Sequence, residues 1–136
     1  MKIGLTYWSS TGNTEQMAEM MKAALEAKGH EVVYSDISSL DKDAFFACDA
    51  LVLGGPAQGT EEVCPDQQEL LDNDGDKMSG KKVAIFGSYG WGGGEYMNGW
   101  VEQVEDKGAT VVGTVTCEEA PDDSVKAELE DLAGKL

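Results

Sequence analysis

Five short apolar runs alternate with amphipathic stretches along the chain. The runs are Ile3 to Trp8, Val32 to Ser35, Ala50 to Gly54, Val83 to Gly87 and Thr110 to Thr116, and this alternation predicts strand and helix units feeding a parallel sheet. Ala50-Leu51-Val52-Leu53 and Val83-Ala84-Ile85-Phe86 are apolar without alternation, so those strands need helices over both faces and the sheet becomes the middle of three layers. Met17, Met21, Ala24 and Leu25 recur at helical spacing and predict a helix over 14–28, with Asn13 as N-cap, Gln16 at N3 and Gly29 just past its end. Met97, Trp100, Val101 and Val104 predict a second helix over 95–107 that Gly108 ends. Val125, Leu129, Leu132 and Leu136 predict a third over 124–136, entered through Pro121-Asp122-Asp123. Shorter helices are predicted at Lys42 to Ala47 and Pro65 to Asp72, the latter running into the polar stretch Asp72 to Asp76. Helices on both faces and right-handed crossovers require a doubly wound order. The expected architecture is a three-layer α/β fold in one domain, residues 1–136.

Charge narrows the function. The chain holds 26 Asp and Glu against 10 basic residues, a net charge of −16, and all ten basic residues are lysine. Like-charge repulsion opposes binding to a nucleic-acid backbone or an anionic bilayer, and neither is expected as a partner. Without arginine there is no arginine finger and no bidentate clamp, so phosphoryl transfer loses its usual tools and a bound anion must be held by other groups. Cys48, Cys64 and Cys117 are odd in number and far apart, with His30 the one imidazole, which supports neither a disulfide framework nor a zinc site. Ile3 to Trp8 meets Ser9-Ser10-Thr11 at once, too short for a signal peptide or a spanning helix, so a cytoplasmic location is expected.

Ligands in doubly wound sheets bind beyond the carboxyl ends of the strands, so the loops after strands one, three, four and five are the ones to read for chemistry. The first reads Ser9-Ser10-Thr11-Gly12-Asn13-Thr14 and opens a helix. Its hydroxyls, main-chain N–H groups and the helix dipole suit a phosphate without any cation. N-capping accounts for one or two of the hydroxyls but not for four. No Walker A pattern is present, so triphosphate hydrolysis has no support. After strand four, Gly87-Ser88-Tyr89-Gly90-Trp91-Gly92-Gly93-Gly94 sets two aromatics among glycines. Glycine permits close backbone approach and the rings offer faces for stacking, which points to a flat aromatic cofactor; a glycine hinge or partner-binding loop is the alternative. After strand three, Gly54-Gly55-Pro56-Ala57-Gln58-Gly59-Thr60-Glu61-Glu62 supplies a third wall, and the Glu61 carboxylate is placed to accept from a ring N–H. Trp100 and the helix methionines read as core, His30 as an exposed turn residue, and Cys48 as buried packing without a basic partner.

Tyr7-Trp8-Ser9-Ser10-Thr11-Gly12-Asn13-Thr14 together with Gly87-Ser88-Tyr89-Gly90-Trp91-Gly92 resembles the short-chain, clostridial-type flavodoxins over essentially the whole chain. The resemblance implies one non-covalent FMN on a five-stranded sheet ordered 2-1-3-4-5. It implies that Ser9, Ser10, Thr11, Gly12, Asn13 and Thr14 hold the FMN phosphate, that Pro56, Ala57, Gln58, Gly59, Thr60 and Glu61 line the inner flavin edge, and that Ser88, Tyr89, Gly90, Trp91 and Gly92 form the outer wall, with Trp91 over the ring. The Gly59-Thr60 peptide matches the bond that turns its carbonyl toward flavin N5 on reduction, and Glu61 matches the carboxylate on N3. Gln58 stands where family members commonly carry methionine, and Cys117 to Glu119 matches a further flavin-edge segment loosely.

The implied role is a low-potential one-electron carrier, with no catalytic and no metal-ligating residues. The implied partners are redox proteins with basic docking surfaces, such as oxidoreductases that otherwise use ferredoxin, and a monomer is expected. A second class, an FMN-using quinone or flavin reductase, predicts hydride uptake from NAD(P)H, yet these loops hold no second nucleotide fingerprint and no basic residue for a 2′-phosphate. A receiver domain is excluded because Leu53-Gly54-Gly55-Pro56 offers no phosphoacceptor aspartate.

Overall fold

A computed structural model describes residues 1–9, 12–58, 62–89, 94–118 and 120–136, with Gln58 and Glu62 described through their backbone. Five parallel strands, β1 (Lys2–Tyr7), β2 (Glu31–Asp36), β3 (Ala50–Gly54), β4 (Lys82–Tyr89) and β5 (Thr110–Glu118), form one sheet in the order β2-β1-β3-β4-β5. The helices between and after them are α1 (Asn13–Ala27), α2 (Lys42–Phe46), α3 (Pro65–Asp74), α4 (Tyr96–Asp106) and α5 (Asp123–Ala133). Single 3-10 turns at Ile37–Ser39 and Gly75–Met78 complete the connections.

Two cores lie on opposite faces of the sheet, as continuously apolar strands require. One joins Met17, Met21 and Leu25 of α1 to Val125, Leu129 and Leu132 of α5 over Ile3, Leu5 and Val52. The other packs Leu70 and Leu71 of α3 and Met97, Trp100 and Val104 of α4 over Leu51, Leu53, Val83 and Ile85. Every residue of β3 is buried, and β4 is buried from Val83 to Ser88. The three-layer, doubly wound expectation holds in strand order and in helix placement.

Several boundaries differ from the sequence expectation, each for a local reason. Strand β4 runs on through Ser88 and Tyr89, and β5 through Cys117 and Glu118, because these residues pair with each other across the sheet. Helix α1 is capped by Gly12 at φ 92° and not by Asn13, which is its first residue; a left-handed turn of this kind is open to glycine at little cost. Helix α3 continues through the polar stretch to Asp74, because Gln67, Leu70, Leu71 and Asp74 repeat on its buried face and Asp74 finds two ammonium partners there. Ala57–Gln58 and Glu62–Val63, expected to be loop, pair as a two-residue antiparallel hairpin.

Candidate functional site

The carboxyl ends of β1, β3, β4 and β5 gather the three candidate loops at one edge of the sheet. Beyond Tyr7, the Trp8 N–H donates to the Gly54 carbonyl at 3.0 Å, carrying the β1 to β3 ladder one residue into the first loop. The Gly12 N–H donates to Ser9 Oγ at 3.0 Å, so Ser9 already serves the turn that opens α1. No side chain among the described residues caps α1, whereas Asp41 caps α2 and Asp122 caps α5. An uncapped helix start presents main-chain N–H groups and the positive end of the dipole. Such a helix start suits a phosphate group.

Thr14 has an inward role. Its side chain is 1% exposed, and its hydroxyl shares a hydrogen bond of 2.9 Å with Ser88 Oγ at the end of β4. The start of α1 is thereby pinned to the strand that leads into the aromatic loop. The sequence placed Thr14 and Ser88 in two different walls of the cofactor site; the structure joins their hydroxyls to each other.

At the end of β3, Gly55 N–H donates to the Phe86 carbonyl at 3.1 Å. The Gly55 carbonyl accepts from the Tyr96 hydroxyl at 2.9 Å, and Ser88 O lies 3.4 Å from the same hydroxyl. One residue earlier, the Gly54 carbonyl accepts from Gln67 Nε2 at 3.0 Å, and the same amide reaches Thr6 O at 3.3 Å. Pro56 is buried and Ala57 half-buried, at the base of the short hairpin. Tyr89 is half-buried, and its ring lies against Gly94, which takes φ 78° where the fourth loop enters α4.

Neither Tyr96 nor Gln67 was singled out from sequence. For Gln67 the signal was present: it shares the i, i+3, i+4 spacing of Leu70 and Leu71, and a polar residue on such a face is a buried polar residue. Ser10, Thr11, Gly59, Thr60, Glu61, Gly90, Trp91 and Gly92 lie outside the described residues, as do Gly93 and Glu119.

The three thiols are buried. Burial pushes the Cys64 thiol up to about 11, and burial, followed by the charges of Asp122 and Glu128, does the same for Cys117. Burial also raises Cys48, so none of the three is activated as a nucleophile. Tyr7 stacks on Tyr34 with ring centroids 5.4 Å apart, and burial raises both phenols. His30 Nδ1 lies 3.4 Å from the N-terminal amine at the opposite edge of the sheet; it is half-buried, not exposed, and stands away from the candidate site.

Acids stand at both ends of the sheet, with Glu31 opening β2 and Asp49 preceding β3, but most of the lysines gather at one end. Lys2 and Lys82 open β1 and β4, Lys28, Lys81 and Lys107 precede β2, β4 and β5, and Lys135 follows α5, all at the edge opposite the loops. The loop edge carries Asp36 at the end of β2, Glu15 in the first turn of α1, Glu95 before α4, and Glu118 at the end of β5.

A flavodoxin family model matches residues 5–131. The chain is 42% identical to a flavodoxin of Megasphaera elsdenii over 135 residues, 98% of each. It is 40% identical to a flavodoxin of Clostridium beijerinckii over 111 residues, covering 81% of this chain and 80% of that protein. The solution structure of two-electron reduced Megasphaera elsdenii flavodoxin superposes with a TM-score of 0.90 at 40% identity, covering 98% of this chain and 99% of that one. A flavodoxin from the domain Archaea superposes with a TM-score of 0.89 at 27% identity, covering 98% and 94%.

Proposed function

Because the chain belongs to the flavodoxin family, it is an FMN-binding electron-transfer protein and not an enzyme, and we propose how its residues hold that cofactor and choose its partners. Ser9, Ser10, Thr11, Gly12, Asn13 and Thr14 grip the phosphate, mainly through main-chain N–H groups and the hydroxyls of residues 9–11. Pro56 to Glu61 line the inner flavin edge, and Ser88 to Gly92 the outer one. The whole chain, 1–136, acts as one domain. FMN supplies the one-electron chemistry; the protein positions it and sets the charge around it.

The observation that carries the assignment is the N-terminus of α1, which no side chain among the described residues caps and which Thr14 pins to Ser88 at the end of the strand leading into the aromatic loop. One element thus serves both ends of a long, flat, phosphorylated ligand. Main-chain donors to a dianion are charge-assisted, each worth ~1.5–3 kcal/mol, so two of them contribute roughly 3–6 kcal/mol, or about a hundredfold or more in affinity. Titrating the cofactor-free protein with FMN and with riboflavin tests this directly. FMN is expected to bind at least about a hundredfold more tightly. Equal affinity for riboflavin refutes the phosphate assignment, and a protein that takes up neither refutes the cofactor reading altogether.

The net charge of −16 and the acids at the loop edge support basic partner surfaces. A carboxylate ~12 Å from the flavin contributes about 0.3 kcal/mol in a water-like dielectric, so a single acid does little and the loop edge acts as a group. Electron transfer to a basic partner is expected to slow as salt rises, while the monomeric carrier approaches with its acidic, flavin-bearing end first. A rate independent of ionic strength refutes this steering. Cytoplasmic redox proteins that otherwise accept ferredoxin are the partners of matching chemistry. No helix among the described residues is long and apolar enough to cross a membrane.

A further inference from the structure

Two side chains from different helices hold the stem from which the third-strand loop projects. Gln67 of α3 is 1% exposed, and its single NH2 group spans the ends of two strands by donating to Thr6 O of β1 and Gly54 O of β3. Tyr96 of α4 donates to the very next carbonyl, Gly55 O, at 2.9 Å. Proline lacks an N–H, so the carbonyl is the only hydrogen-bonding group on the Gly55-Pro56 peptide. Its Tyr96 bond therefore fixes the direction in which the loop departs.

The hairpin of Ala57–Gln58 with Glu62–Val63 grows from this point. Its returning leg leads into Cys64, which precedes α3 and packs its sulfur against Gly55, so close that a Cβ on Gly55 would meet Sγ at 2.6 Å. Both legs of the hairpin are thus anchored, the outgoing one by Tyr96 and Gln67, the returning one by α3. Among the described residues, Gln67 Oε1 has no hydrogen-bond partner. A buried amide with an unmet acceptor costs stability, which is the pattern of a side chain kept for its two donors.

Resting on the FMN reading above, we propose that Gln67 and Tyr96 are positioning residues for the flavin. They act through the Gly54 and Gly55 carbonyls, fixing where the tip of the loop can lie and so how strongly it favours one oxidation state of the cofactor over another. Removing the Tyr96 hydroxyl takes from the Gly55 carbonyl its buried donor, and removing the Gln67 amide unties Thr6 O from Gly54 O, which keeps the Trp8 N–H; either change lets the stem move. The two-residue ladder carries that movement to residues 59–61.

The test compares FMN-loaded native protein with Tyr96→Phe and Gln67→Met, each of which removes the donors while keeping most of the bulk. The readouts are the two one-electron midpoint potentials and, separately, the urea midpoint of the cofactor-free protein. Each variant is expected to change the equilibrium constant relating the two couples by about threefold or more, about 28 mV at 59 mV per tenfold for a one-electron couple. A smaller change, with a lowered urea midpoint of the cofactor-free protein, overturns the proposal and leaves the two residues a structural role only. If Tyr96→Phe fails to fold, Gln67→Met decides by the same criterion. Failure of the native protein to take up FMN is a distinct result that refutes the functional reading beneath the proposal.

Discussion

Gly87→Ala is the sharpest test of how tightly β3 and β4 close beneath the loops. A Cβ at this position would overlap both the Gly55 carbonyl oxygen and the Tyr96 hydroxyl, well inside the 3.0 Å that real Cβ atoms essentially never cross. One of the two oxygens is backbone and the other sits on a buried ring, so neither can swing aside as a flexible chain end would. To admit the methyl, the strands must part, and the Tyr96 to Gly55 hydrogen bond breaks. Overpacking of this kind costs ~1–3 kcal/mol, and a buried carbonyl left without its donor ~1–3 kcal/mol more. Against this, the smaller freedom of alanine in the unfolded chain returns about 0.4–1 kcal/mol. The net expectation is about 3–4 kcal/mol, which for a domain of this size lowers Tm by roughly 10–15 °C.

The same geometry predicts coupling. In a Tyr96→Phe background one of the two obstructing oxygens is gone and the Gly55 carbonyl has already lost its donor, so Gly87→Ala costs about 1–2 kcal/mol less than in the native chain. Urea unfolding of the four cofactor-free proteins measures this cycle through midpoints at constant slope. A loss below about 1 kcal/mol for Gly87→Ala, or additivity within about 0.5 kcal/mol, refutes the account of this contact.

Two further outcomes follow from charge and burial. Asp74 is lowered from its ordinary carboxylate value by hydrogen bonding to Lys42, opposed by burial, with Lys77 adding to it, across ion pairs of 2.7 and 3.1 Å. A depressed folded pKa gives stability that is present above the unfolded value of about 3.9 and disappears as the pH falls through the folded one. Asp74→Asn is therefore expected to be less stable than the native chain at neutral pH, with the gap closing in acid titrations below about pH 4; a gap that stays constant to pH 2 refutes the pairing. The buried thiols, with Cys64 and Cys117 pushed up to about 11, should resist a thiol reagent in the folded protein at pH 8. All three should react on unfolding in urea, and rapid labelling of any one in the folded protein contradicts its burial.

The periodic positions made most of the fold readable. Ala50 to Leu53 and Val83 to Phe86 are apolar on both faces, and only a sheet covered on both sides buries such strands. Met17, Met21 and Leu25 likewise announce one helical stripe, and burial of all three agrees. Boundaries were less legible where pairing across space decided them. Ser88 and Tyr89 look like loop because glycine and hydroxyl residues surround them, yet partners on β5 hold them in the sheet.

The candidate site divides along the same line. The local chain alone determines that no arginine and no lysine near Ser9 to Thr14 is available to an anion there, leaving hydroxyls and main-chain N–H groups as the donors of the proposed phosphate site. Tertiary structure decided which groups the buried polar side chains around the site face. Thr14 turns to Ser88 across 74 residues, Gln67 reaches Thr6 across 61, and Tyr96 reaches Gly55 across 41. Periodicity can say that a polar side chain sits on a buried face, since that depends only on spacing along one element. Which carbonyl it meets depends on how separate elements are stacked, and that is settled only when the two cores close on the sheet.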